Sequence, residues 1–254
     1  MRQSFSYTLL ITWVLITLSC RTHFVQKSYE TNNISVSNEE FSLDSNIVNT
    51  YLPYKAILEE DMNRIISVSE IEMKKGKPES YLTNFLGDLL LIEANKVVMR
   101  NNFKLKPSVS YFNYGGIRTF LPKGEITVGK IFELMPFENE MVFLKLSGIQ
   151  MQEFLNYIAG IGGDSVGGAR FIISNKKAIH ITIGGKGLDL KEEYWLVTND
   201  YVANGGDGLV VLKDNRELVK SGVKIRDVII SHLEDKQDNN EMLSAQLDGR
   251  IRNE

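Results

Sequence analysis

The chain has 254 residues, 43% of them hydrophobic, with 29 Lys and Arg against 32 Asp and Glu. That length suits one domain with an appendage, and the apolar share is enough for a sizeable core. A net charge of −3 lacks the electrostatic footprint of a binder of polymeric nucleic acid, and a single cysteine excludes a disulfide framework.

The N-terminus, MRQSFSYTLLITWVLITLSC, carries Arg2, runs apolar from Tyr7 to Leu18 and ends in Ser19-Cys20. So short a run falls below the roughly twenty apolar residues that a spanning helix needs, and it fits a secretory signal over residues 1–20. Cys20, behind a small residue, resembles the lipidated cysteine of a bacterial lipobox, although Thr17 stands where leucine is usual. The expectation is export across a bacterial inner membrane and a lipid anchor in the cell envelope, facing periplasm or exterior. A simple secreted protein is the alternative. Residues 21–50 are polar, rich in Ser, Asn and Glu, and read as a tether. The folded unit is expected over 51–254.

The basic run KKGK at 74–77 reads as a solvated turn. Leu82, Phe85, Leu86, Leu89 and Leu90 recur at helical spacing behind a capping Ser80. PSVSYFN (107–113) alternates like a strand. GEITVGKIFELMPF reads as a turn and a short helix that stops before Pro136. EMVFLKLS (140–147) places Val142, Leu144 and Leu146 on one face, and the next helix runs from a capping Ser147 to Gly160. ARFIIS, AIHITI and YWLVTN are β-rich, and VKIRDVIISHLEDK is a late amphipathic helix. Hairpins mixed with helices predict an α+β or mixed-sheet α/β class.

Two glycine-rich junctions follow strands: NYGGIR (113–118), ending in Arg118, and YVANGGDG (201–208), presenting Asp207. Gly-Gly and Asp-Gly suit a tight hairpin turn, so a plain turn is one reading of the second. The other is that Gly115, Gly116, Gly205 and Gly206 let a ligand approach the backbone. An arginine fork suits a phosphate, and an aspartate accepts from two neighbouring ribose hydroxyls. Phe137 and Tyr201 are two aromatic faces able to sandwich a base. Taken singly, these aromatics also read as core residues, and Arg118 as a surface ion-pair partner.

The order NxGGIR, GEIT, PFEN, LSG, YVANGGDG and DGRI resembles the C-terminal domain of the 5′-nucleotidase / UDP-sugar hydrolase family, from about Asn84 to residue 251. The resemblance implies a four-layer α/β/β/α mixed-sheet domain that binds a nucleotide or nucleoside. It implies that Asn113 and Arg118 face the phosphate or sugar, Phe137 and Tyr201 clamp the base, and Asp207 binds the ribose. Three departures stand out. Tyr114 replaces a glycine, Tyr201 replaces the usual phenylalanine, and Pro78 and Glu79 stand where the family has an arginine, with Lys77 nearby.

Catalysis in that family belongs to an N-terminal dimetal phosphoesterase domain rich in His, Asp and Asn ligands. This chain has only His23, His180 and His232, which share no ligand spacing and read as ordinary histidines. No catalytic residue, metal site or cofactor is therefore expected in this chain; divalent metals would belong to a separate metallophosphoesterase chain. The expected role is the substrate-binding half of a 5′-nucleotidase, not hydrolysing alone. A non-catalytic nucleotide- or nucleoside-binding lipoprotein is the second reading, and a ligand-free structural domain the third.

Overall fold

The computed structural model describes residues 28, 30–33 and 44–254. The expected signal segment, Cys20 and His23 lie outside the described residues, as does most of the expected tether. Residues 51–254 form one compact unit. Helix α1 (Ser45–Met62) starts ahead of residue 50 and contains no buried residue. None of the described helices is long and apolar enough to cross a membrane.

A five-stranded mixed sheet organises the compact unit. Its strands are β2 (Pro107–Phe112), β4 (Glu140–Ser147), β5 (Ser165–Gly167), β9 (Glu193–Asn199) and β10 (Glu217–Lys224), in the order β10-β4-β9-β2-β5. β2 and β9 run parallel; the other three pairings are antiparallel. Along β4, Met141 and Phe143 point into one apolar cluster and Val142, Leu144 and Leu146 into a second. β2 and β9 divide in the same way, with Phe112 and Val197 on one side and Tyr111 and Leu196 on the other. A strand's side chains alternate between faces, so apolar residues at both phases mean a sheet covered on both sides.

One cover is helical. Helix α2 (Tyr81–Arg100) sets Leu82, Phe85, Leu86, Leu89 and Leu90 into the first cluster, as their spacing predicts. α3 (Val128–Leu134) and α6 (Ile225–Asp238) contribute Ile131, Leu134, Ile229 and Leu233 to the same cluster. The other cover combines α4 (Gly148–Gly160) with a four-stranded sheet. That sheet contains β6 (Ala169–Ser174), β7 (Lys177–Ile183), β8 (Lys186–Gly187) and β11 (Ile251–Asn253) in the order β11-β6-β7-β8. Phe154 and Leu155 of α4 and Phe171 of β6 share the second cluster. This is the expected mixed α/β class.

Both predicted caps form as reciprocal boxes. The Thr83 N–H donates to Ser80 Oγ at 3.2 Å while the Ser80 N–H donates to Thr83 Oγ1 at 2.8 Å. Ser147 and Gln150 do the same at 3.3 and 2.9 Å. GEIT is not only a turn: Gly124–Thr127 is strand β3, antiparallel to β1 (Ile65–Ser69). The short helix after it ends at Leu134, two residues before Pro136, as expected. His180 is exposed on β7, and His232 is buried on α6 with Nδ1 at 2.7 Å from Glu93 Oε1.

Candidate functional site

Three connections meet at one edge of the five-stranded sheet. β2 and β9 are parallel neighbours, so the segments leaving their carboxyl ends emerge side by side. β4 is antiparallel to β9, with Met141 opposite Asn199, so the segment entering β4 arrives at the same edge. Such an edge, outside the carboxyl ends of parallel strands, is where α/β sheets bind ligands. Asn113, Gly115, Gly116, Arg118, Phe137, Asn139, Tyr201 and Asp207 line a cleft there of about 340 Å³. That volume lies at the lower end of small-molecule sites.

All five predicted side chains thus line one cleft. Phe137, in the connection between α3 and β4, is 45% exposed, and Tyr201, on the short helix α5 (Asp200–Ala203), is 48% exposed. Neither ring is a core residue. Arg118 donates from Nη1 to the Gly115 carbonyl at 3.2 Å and, among the described residues, has no carboxylate partner.

A relay of amides fixes the polar side of the cleft. Asn199 caps α5 by accepting the Val202 N–H at 2.7 Å, and its Nδ2 donates to Asn113 Oδ1 at 3.1 Å. That leaves Asn113 Nδ2 to donate to Asp207 Oδ2 at 2.6 Å. A Cβ on Gly116 would sit 2.8 Å from Asn113 Oδ1, so glycine is what lets the loop fold back over this amide.

The second glycine pair corrects an expectation. Gly205 and Gly206 do not open the backbone to the cleft. Gly205 takes a left-handed φ of 84° against the Lys213 side chain, and a Cβ on Gly206 would overlap the Tyr201 ring. These glycines make room for a protein side chain. The KKGK run is likewise more than a solvated turn. Lys75 Nζ donates to the carbonyls of Tyr114 and Ile117 at 3.1 and 2.6 Å and lies 4.3 Å from the Tyr114 ring centroid. Burial, followed by the charge of Arg118, lowers the Lys75 pKa. Lys77 Nζ lies 5.2 Å from the same ring and donates to the Ile161 carbonyl at 2.7 Å. The Tyr114 ring therefore backs two ammonium groups, one of them within the field of Arg118.

Four further side chains belong to the site beyond those that the motifs assign. Asn139 lines the cleft and stands within PFEN; Asn199 closes the strand before α5. Tyr157 of α4 donates its hydroxyl to the Asp207 carbonyl, and buried Asp164 accepts the Tyr114 N–H at 3.2 Å. The last two come from segments with no local motif, so only the fold brings them here. Among the described residues no three His, Cys, Asp or Glu side chains gather as a metal site would require. Among the described residues the donors do not fit a dimetal centre.

The architecture defines a mixed α/β domain with an open cleft at the carboxyl ends of its two parallel strands. The sequence matches the family described as 5′-nucleotidase, C-terminal domain, over residues 61–214, more than half of the chain, and the chain belongs to that family. A 5′-nucleotidase of Vibrio vulnificus is 30% identical over 136 residues, 52% of this chain and 25% of that protein. An apyrase of Tabanus yao is 29% identical over 147 residues, 49% of this chain and 26% of that protein. A 5′-nucleotidase precursor of Thermus thermophilus has a similar fold, with a TM-score of 0.66 and 25% identity over 81% of this chain and 42% of that one. The chain thus spans about a quarter of the length of these curated relatives.

Proposed function

We propose that the cleft binds a nucleotide or nucleoside and that this chain is the substrate-binding half of a 5′-nucleotidase. The base lies between Phe137 and Tyr201, Asp207 accepts from the ribose hydroxyls, and Asn113 and Arg118 face the sugar or phosphate. The chemistry falls to a metallophosphoesterase on a separate chain, which holds the divalent metals. The observation that carries this reading is the convergence of two exposed aromatic rings, a carboxylate and a guanidinium on one open cleft.

The test separates affinity from folding. Asp207→Asn keeps size and removes a charge-assisted acceptor, so it should weaken ribonucleosides more than analogues lacking ribose hydroxyls. Phe137→Ala and Tyr201→Ala should weaken every base while the thermal midpoint moves little, because both rings are half exposed. If both aromatic variants unfold early and Asp207→Asn binds like the wild type, the glycine-rich segment is only a turn.

Export and anchoring through Cys20 belong to the same reading, since an envelope-held binder would capture nucleotides outside the cell. Cys20→Ala should leave an unprocessed precursor, and the mature wild type should sediment with membranes. A soluble cleaved product in both cases would show a simple secretory signal instead.

A further inference from the structure

Asp207 stands at the tip of its loop with φ 54°, in the left-handed region that a non-glycine residue seldom occupies. The tip is a 3₁₀ turn of Gly206, Asp207 and Gly208, and Gly205 before it and Gly208 within it supply the other positive φ angles. A turn of this kind needs no aspartate, and a residue held in a sparsely populated conformation persists only where its surroundings enforce it.

Here the surroundings engage every polar atom of Asp207. Its N–H donates to the Tyr201 hydroxyl at 3.2 Å, and that hydroxyl donates to Asp207 Oδ1 at 2.9 Å. Asn113 Nδ2 holds Oδ2 at 2.6 Å, and the Tyr157 hydroxyl holds the backbone carbonyl. The Tyr201 ring itself is seated over Gly206. Stacking face and carboxylate are therefore one mechanical unit, joined through a phenol oxygen.

We infer that the Tyr201 hydroxyl is a positioning group: with Tyr157 it holds the Asp207 carboxylate as a preorganised acceptor for a vicinal diol and so sets the site's preference for ribose. The inference rests on the reading of the cleft as a nucleoside site and deepens it. An ionised carboxylate has about four acceptor positions on two oxygens. One position on each oxygen is taken by the protein, from Tyr201 and from Asn113, and both oxygens retain a free one. Two adjacent hydroxyls can then donate one bond to each oxygen with no rotation of the side chain. Fixing an acceptor before binding reduces the ordering cost that would otherwise be subtracted from affinity. A phenylalanine at position 201 would stack equally well and leave Asp207 free to turn.

The experiment compares ribonucleosides with their 2′,3′-dideoxy counterparts by calorimetry on the whole protein, for the wild type, Tyr201→Phe and Tyr157→Phe. Tyr201→Phe should lower affinity for the ribonucleosides about three- to tenfold, the range of one ordinary hydrogen bond. Dideoxynucleosides should be affected less than about twofold, because the stack survives. Tyr157→Phe should act in the same direction and more weakly, since its bond is to the backbone. A merely structural hydroxyl would shift the thermal midpoint and both ligand classes alike. Two outcomes overturn the inference alone: an unchanged preference for ribose, or a larger one, which would make the hydroxyl a competitor for Oδ1. A wild type that binds nucleosides yet ignores the ribose hydroxyls removes Asp207's assigned role, and the inference with it.

Discussion

Asp164 sits behind the loop that carries Asn113 and Arg118. Its Oδ1 accepts the Ser165 N–H at 2.7 Å; its Oδ2 accepts the Tyr111 hydroxyl at 3.0 Å and the Tyr114 N–H at 3.2 Å. Burial raises its pKa from 3.8 to about 6, and the hydrogen bonds and the charge of Lys77 offset only part of that. The folded chain therefore holds this proton more tightly than the unfolded chain does. Between the two values the folded state carries more protons, so the contribution to stability falls as pH rises. It is complete below the unfolded value and is lost as pH passes through about 6. Asp164→Asn cannot titrate. The difference in stability, variant minus wild type, should shift in the variant's favour from pH 4 to pH 7, by an amount on the order of 2 kcal/mol. Urea unfolding at a series of pH values reads this directly. A difference independent of pH would show that the carboxyl does not titrate there.

The loop Asn113–Arg118 is held from two sides, by Asp164 on an N–H and by Lys75 on two carbonyls. Lys75→Met keeps most of the aliphatic stem but leaves the Tyr114 and Ile117 carbonyls without this donor. A polar group left unsatisfied in partial burial costs about 1–3 kcal/mol. The expected result is faster amide exchange across residues 114–118 and weaker ligand binding, with α2 and α4 still protected. If exchange in the loop is unchanged, the ammonium is dispensable. At this scale the sequence is informative where structure is local. The Ser80 and Ser147 boxes, the stop before Pro136 and the alternation in β4 are each written within a few residues. It is silent where the partner is remote. GEIT looks like a turn because β1, which makes it a strand, lies about sixty residues earlier. The edge strand β10 carries no fully buried residue and therefore has little apolar signal of its own. The site divides in the same way. Asn113, Arg118, Phe137, Tyr201 and Asp207 lie in recognisable motifs, whereas Tyr157, Asp164 and Lys75 hold the loops behind the cleft and are placed there only by packing.

At the level of the whole molecule, binding and chemistry are proposed to sit in different bodies. The full sequence holds three histidines, and the two among the described residues are far apart in role: His232 pairs with Glu93, and His180 lies exposed on β7. The relatives reported above are about four times as long as the part this chain matches. The proposed base and ribose contacts would lie away from the ester bond, and such remote binding can orient the reacting group at a catalyst that makes few contacts of its own. The purified protein, supplied with magnesium, manganese or zinc, should therefore release no phosphate from nucleoside monophosphates above the buffer rate. Adding a metallophosphoesterase from the same organism should give hydrolysis faster than that enzyme alone. The increment should vanish with Phe137→Ala, which removes the stack, while the partner's own rate is unchanged. Metal-dependent release by the protein alone, abolished by Asp207→Asn, would overturn the division of labour, because hydrolysis would then require no second chain. An increment indifferent to Phe137→Ala would locate the contact with the partner away from this cleft and leave the cleft a binding site with no part in catalysis.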